Sequence, residues 1–114
     1  MSAITTHVLD IAAGSPARGV PVVLERQTLT AVWEIIGEGI TDDDGRRRDL
    51  LAPDMSLTPG NYRLTFDTET YFAQQRIKGF YPQVVVAFTV RDASAHYHVP
   101  LLLSPFGYST YRGS

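Results

Sequence analysis

Three histidines are the side chains of this 114-residue chain best suited to move protons near neutral pH. His96 and His98 stand two apart near the C-terminus, and His7 lies at the opposite end. The closing stretch from His96 to Ser114 also holds hydroxyls, the Leu101-Leu102-Leu103 run, Arg112 and the terminal carboxylate, in a region that is commonly the least informative part of a domain. As an extended strand, residues 95–104 send Tyr97, Val99, Leu101 and Leu103 one way and His96, His98, Pro100 and Ser104 the other. The first set is a core face. The imidazoles are therefore expected outside the core, facing water or a partner surface.

Several chemistries compete for these groups. His96 and His98 have a metal-ligand spacing, and a hydrolytic zinc site would need a third ligand, either His7 or a carboxylate. The competing reading is proton transfer by one imidazole without metal. His7 shares its strand side with Leu9 and Ile11, where a lone histidine reads as a hydrogen-bonded structural residue. Asp42-Asp43-Asp44-Gly45 is a turn by composition. It fails as a calcium loop, because aligning Asp42, Asp44 and Gly45 with an EF-hand places Leu51 where the bidentate glutamate belongs. Arg46-Arg47-Arg48 is the only basic run and reads by itself as a solvated turn. A serine nucleophile elbow is missing, since Tyr111 stands where the second glycine after Gly107-x-Ser109 should be, and no phosphate-cradling glycine loop appears. Without cysteine there is no thiolate chemistry and no disulfide.

Three separated stretches carry a resemblance. His98-Val99-Pro100-Leu101-Leu102-Leu103-Ser104-Pro105 with the ending Tyr111-Arg112-Gly113-Ser114, Thr6-His7-Val8-Leu9-Asp10, and Thr41-Asp42-Asp43-Asp44-Gly45-Arg46 resemble the signature motifs of the 5-hydroxyisourate hydrolases, the enzymatic relatives of transthyretin. The resemblance spans the whole chain and keeps the family's order. It implies that His7, Arg46 and His98 are the catalytic trio and that Tyr111, Arg112, Gly113 and Ser114 line the same site. It further implies hydrolytic ring opening of 5-hydroxyisourate, without metal or cofactor, to 2-oxo-4-hydroxy-4-carboxy-5-ureidoimidazoline. The residue types suit that chemistry. A neutral histidine, His7 or His98, can take a proton from water and return it to the leaving nitrogen. Arg46 offers a planar donor fork for an anionic purine derivative and for charge developing on the carbonyl oxygen, and Arg112 is assigned to position the terminal carboxylate. Phe106 departs from the pattern, at a position often held by tyrosine. A transthyretin-like carrier is the first alternative, but such carriers lack the histidines, the arginine and the Tyr-Arg-Gly-Ser ending. The others are an interaction sandwich with an idle trio and metal-assisted hydrolysis at His96 and His98.

The elements that must position these groups read as short strands. One domain covering 1–114 is expected from the length, and without disulfides assembly is the expected supplement to so small a core. A net charge of −2 offers no attraction for nucleic acid, and no apolar run approaches a membrane span. With no secretory-type segment in the sequence, a cytoplasmic location is expected. Strands are predicted over 3–11, 20–26, 32–38, 61–67, 84–91, 95–104 and 108–112, with loops around Gly14-Ser15-Pro16, Gly19, Ala52-Pro53 and Thr58-Pro59-Gly60. About two helical turns fit 68–75, with Thr68 as the cap, and residues 84–104 read as a hairpin around Asp92-Ala93-Ser94. The pattern favours an all-β sandwich. The resemblance implies two four-stranded sheets with one short helix, assembled as a homotetramer, a dimer of dimers, with a central channel and sites lined by more than one subunit. Pro100 then needs an edge, a bulge or an interface.

Overall fold

Period-two alternation builds most of the molecule, and the computed structural model, which describes residues 3–114, contains nine strands and one helix among them. The strands are β1 (Ile4–Asp10), β2 (Ser15–Pro16), β3 (Pro21–Gln27), β4 (Trp33–Ile40), β5 (Arg46–Arg47), β6 (Gly60–Phe66), β7 (Val84–Val90), β8 (Tyr97–Ser104) and β9 (Gly107–Thr110), and the helix is α1 (Thr68–Gln74). One sheet has the order β4-β3-β6-β7 and the other β2-β1-β8-β9, with β5 also on β1. The sandwich is as expected. The second sheet has five strands rather than four, because the two-residue stubs β2 and β5 divide one edge of β1 between them.

Each sheet turns one apolar row inward. Ile4 and Val8 of β1 with Tyr97, Val99, Leu101 and Leu103 of β8 meet Val22, Leu24, Tyr62, Leu64, Phe66, Val84 and Val90 of the other sheet, all of them buried. Full burial of such side chains stabilises by about 1.5–3 kcal/mol each. In β4 the alternation slips where Glu25 pairs with Ile35 while Leu24 pairs with Gly37. Ile36 is the extra residue of this bulge; it packs on the core while Ile35 is exposed.

Four local expectations are corrected. Strands β7 and β8 do not form a hairpin: β7 pairs with β6 in one sheet and β8 with β1 and β9 in the other. Alternation reveals which face is buried but not which neighbour a strand takes. The 92–94 turn therefore arches between the sheets. Tyr97 pins it, its hydroxyl accepting from Asp92 N (3.1 Å) and donating to Asp92 O (2.9 Å). The helix cap is Asp67, whose Oδ1 accepts from Thr70 N (3.0 Å), while the buried Thr68 hydroxyl donates to the Tyr81 carbonyl (2.8 Å). Ser15-Pro16 is a strand stub instead of a loop, and Arg46-Arg47 is a strand stub instead of a solvated turn.

Helix α1 lays Tyr71 and Phe72 over the sandwich end. The Tyr71 hydroxyl donates to Asp10 Oδ2 (2.7 Å), while Oδ1 of the same carboxylate accepts from Ala12 N and Ala13 N, so the end of β1 is tied to α1. Burial, and then the bond to Asp10, push the Tyr71 phenol up to about 12, which keeps it a donor. Among the described residues no helix is long and apolar enough to cross a membrane.

Candidate active site

Strand β1 sits at the middle of the chemistry because it has different partners on its two edges. On one edge it runs parallel to β8, with Thr5 opposite His98 and His7 opposite Pro100. On the other it runs antiparallel to β5, with His7 opposite Arg46. Residues directly opposite share a face. Ile4, Thr6 and Val8 take the inner face of β1 and are buried. Thr5 and His7 therefore share the outer face with Arg46 and His98.

Arg46 reaches this place through the acidic turn. Asp42 Oδ1 accepts from the backbone N–H groups of Asp44 and Arg46 (2.9 Å each), and the Gly45 N–H donates to the Asp42 carbonyl (2.9 Å). Bonds to these backbone groups, that to Arg46 first, hold the Asp42 carboxyl below the usual carboxylate range. Gly45 has φ +75°, and a Cβ there would lie 2.3 Å from the Val8 carbonyl oxygen, so only glycine lets the turn close against β1. The next residue but one, Arg47, points the other way: a Cβ on Gly39 of β4 would lie 2.4 Å from Arg47 Nε, so its side chain fills the space beside β4.

His7 donates from Nε2 to the Asp44 carbonyl (2.9 Å). A carbonyl can only accept, so the neutral ring keeps its lone pair on Nδ1. His98 is half-buried, and its Nδ1 lies 2.8 Å from Thr5 Oγ1. Burial lowers the His98 pKa below that of an ordinary imidazole, and the positive charges of Arg46, His7 and His96 lower it further. This group is kept neutral. His96 is exposed, with Nε2 3.1 Å from the same Thr5 oxygen and its ring nearly parallel to that of His98, centroids 6.5 Å apart.

The chain end closes the arrangement. Gly113 N donates to the His98 carbonyl (2.8 Å), forming an isolated bridge beyond the end of β9. A Cβ on Gly113 would lie 2.5 Å from His98 Cδ2 and 3.2 Å from Pro100 Cγ, so the backbone lies flat against the imidazole. Pro100 falls between this bridge and the Leu101–Thr110 pair, where β9 has left the ladder, and its carbonyl accepts from the Thr110 hydroxyl (2.7 Å). No ladder donor is missed there, as a strand proline requires.

A cleft of about 210 Å³ results, lined by Thr5, Thr6, Arg46, Arg48, His96, His98 and Ser114. Of the residues expected from the sequence, Arg46, His98 and Ser114 line it, with His7 and Gly113 at its margins through their contacts with Arg46 and His98. Tyr111 and Arg112 are not brought into it. They line a neighbouring hollow of about 340 Å³ with Val86, Phe88, Tyr97 and the far side of His98. Arg112 lies over the Tyr97 ring (4.5 Å) and donates to the His96 carbonyl (3.4 Å), so its assignment to the terminal carboxylate is corrected: it anchors the tail to the strand. A larger concavity of about 530 Å³ beside α1 holds Glu69, Arg76 and Lys78 but no imidazole. Among the described residues no three potential ligands gather as a metal site.

Sequence reasoning missed two residues. Thr5 shares the strand side of His7, and the motif begins one residue after it. Arg48, which the sequence offers only as part of a solvated basic run, lines the cleft 4.0 Å from Asp42. Two cations beside the half-buried imidazole of His98 suit a small, planar, anionic ligand.

Comparison with known proteins bears on the family and the fold. The model of the HIUase/Transthyretin family matches residues 4–113. A probable 5-hydroxyisourate hydrolase of Caenorhabditis elegans is 51% identical over 113 residues, covering 99% of this chain and 82% of its own. The structure of Klebsiella pneumoniae 5-hydroxyisourate hydrolase superposes with a TM-score of 0.86 at 36% identity, covering 100% of both chains. That of transthyretin from Sparus aurata gives 0.90 at 30% identity, covering 99% of this chain and 97% of that one.

Proposed function

This chain belongs to the HIUase/transthyretin family and is one of its hydrolases, and we propose that it opens the six-membered ring of 5-hydroxyisourate in urate degradation, giving 2-oxo-4-hydroxy-4-carboxy-5-ureidoimidazoline. The observation that carries the reading is the convergence of His7, Arg46, His98 and Ser114 from four separate segments on one outer sheet face. The fold cannot decide the matter, because a transthyretin superposes as well as a hydrolase.

In this mechanism the free Nε2 of His98 takes a proton from water as its oxygen bonds to the ring carbonyl carbon. Holding His98 neutral keeps that lone pair available below neutral pH. The Arg46 guanidinium binds the paired acceptors of the anionic ring and stabilises the oxyanion, with Arg48 adding positive potential. Collapse breaks the carbon–nitrogen bond, and the proton is delivered to the leaving nitrogen. His7, fixed by the Asp44 carbonyl, orients water or substrate through Nδ1. Ser114 and the Gly113 backbone hydrogen-bond the remaining edge of the ring. Neither metal nor cofactor takes part, and the enzyme acts in the cytoplasm.

The cleft is open on the face of a sheet, so one subunit cannot enclose a purine-sized ring. The proposal therefore includes a homotetramer, a dimer of dimers, in which a second subunit covers each site. Exposed Phe106, Tyr108 and Tyr111 along the β9 edge supply apolar surface for such contacts. The test is ultraviolet spectroscopy of freshly generated 5-hydroxyisourate with and without protein. Accelerated decay that survives chelation is expected; decay at the spontaneous rate, or loss on chelation restored by zinc, would overturn the proposal.

A further inference from the structure

His96 has no part in the mechanism above, yet one hydroxyl joins it to the base. Thr5 Oγ1 lies 2.8 Å from His98 Nδ1 and 3.1 Å from His96 Nε2, in a residue only 6% exposed. A threonine hydroxyl has a single proton. When it donates to one imidazole it can only accept from the other, so the tautomers of the two rings are tied together. We propose that Thr5 and His96 are positioning residues that form a proton relay with His98. The relay rests on the hydrolase reading and deepens it.

The geometry allows two arrangements. In the first, Thr5 donates to His96 Nε2 and accepts from His98 Nδ1–H, which leaves the lone pair on His98 Nε2: the base form. When His98 Nε2 takes the proton of the attacking water, the ring would carry a charge that its burial and the neighbouring Arg46 oppose. The relay removes that charge. His98 releases its Nδ1 proton to the Thr5 oxygen as the Thr5 hydroxyl proton passes to His96 Nε2. One proton enters His98 and one leaves, and the charge ends on His96. In the second arrangement, so reached, Thr5 donates to His98 Nδ1 and His98 Nε2–H faces proton transfer to the leaving nitrogen. As that proton leaves, the relay runs back, His96 Nε2–H passing its proton to the Thr5 oxygen while the Thr5 proton returns to His98 Nδ1, so that all three groups regain their starting state. His96 is exposed, so water solvates the charge that His98 cannot hold. Among the described residues, the charged groups around the pair are Arg46 and Arg48 from the β5 segment and His7 from β1, with Ser114 lining the same cleft; Arg112 touches the His96 carbonyl.

The test uses the intact protein with Thr5→Val, Thr5→Ser and His96→Gln. Valine keeps the shape and removes the hydroxyl, serine keeps the hydroxyl, and His96→Gln changes an exposed position. Thr5→Val and His96→Gln are each expected to lower kcat about tenfold or more with KM little changed, a fraction of what acid–base catalysis contributes. Their double variant should be no worse than either alone, and Thr5→Ser should recover most of the rate. Independently of activity, nitrogen NMR of the imidazoles should show His96 and His98 titrating as a coupled pair in the parent and separately in Thr5→Val. Independent titration in the parent, additive losses in the double variant, or full kcat in Thr5→Val would overturn the relay. Coupled titration in a protein that leaves 5-hydroxyisourate untouched would sink the hydrolase reading alone.

Discussion

His98 stays neutral for physical reasons that can be removed one at a time. Its imidazolium is opposed by burial first and by the Arg46 charge next. The acid limb of kcat/KM should therefore fall below the ordinary imidazole value of about 6.5. In Arg46→Gln, the NMR titration of His98 should move up toward that value, and no movement would contradict the electrostatic account. The same depression acts on stability. Between the folded pKa of His98 and about 6.5 the unfolded chain binds the proton that the folded one refuses, so this contribution is complete above 6.5 and is lost as pH falls through the folded value. Gly113 gives a second residue-scale prediction: Gly113→Ala drives a methyl into His98 Cδ2, and displacing a reacting group by about 1 Å can cost roughly a hundredfold in rate. Steady-state kinetics should show that loss, with a melting temperature close to the parent's because Gly113 lies beyond the last full strand. The meeting of His7, Arg46 and His98 on one sheet face was legible in the sequence because the motifs that carry them are specific. Thr5 was not, since a hydroxyl between two rings becomes visible only once β1 and β8 are known to pair.

Elements, unlike residues, were read unevenly, and the pattern of success has a cause. Burial period placed β1, β3, β6, β7 and β8 because each buries one face. It could not say that β7 and β8 belong to opposite sheets, since both arrangements present the same inward residues. Nor could composition distinguish a solvated arginine turn from β5, whose two residues are a strand only because β1 leaves an edge open beside them. The Asp42–Arg46 turn shows what such a stub needs. Gly45→Ala places a side chain at positive φ and against the Val8 carbonyl, for a loss of roughly 1–3 kcal/mol. Urea unfolding should show the lowered midpoint, and kcat should fall as well, because Arg46 is the next residue. Stability lost at full activity would show that β5 does not position Arg46.

At the scale of the whole molecule, the site is a surface until something covers it. Gel filtration at working concentration should give a species near four times the 12.6 kDa chain, and activity per chain should fall on dilution below the assembly threshold. Full activity in a dilute monomer would refute the shared site. One further consequence follows from the parallel pairing of β1 with β8, which joins Ile4 to Tyr97. The β4-β3-β6-β7 sheet is drawn from residues 21–90 and can form while later residues are still being made. Strand β1 must instead wait, with one hydrogen-bonding edge open, until the residues of β8 have been made and have left the ribosome. Contacts so distant in sequence form slowly. In refolding, Trp33 fluorescence, which reports on β4, should recover ahead of turnover, and the nascent protein spends that interval half built, with its aggregation-prone side exposed.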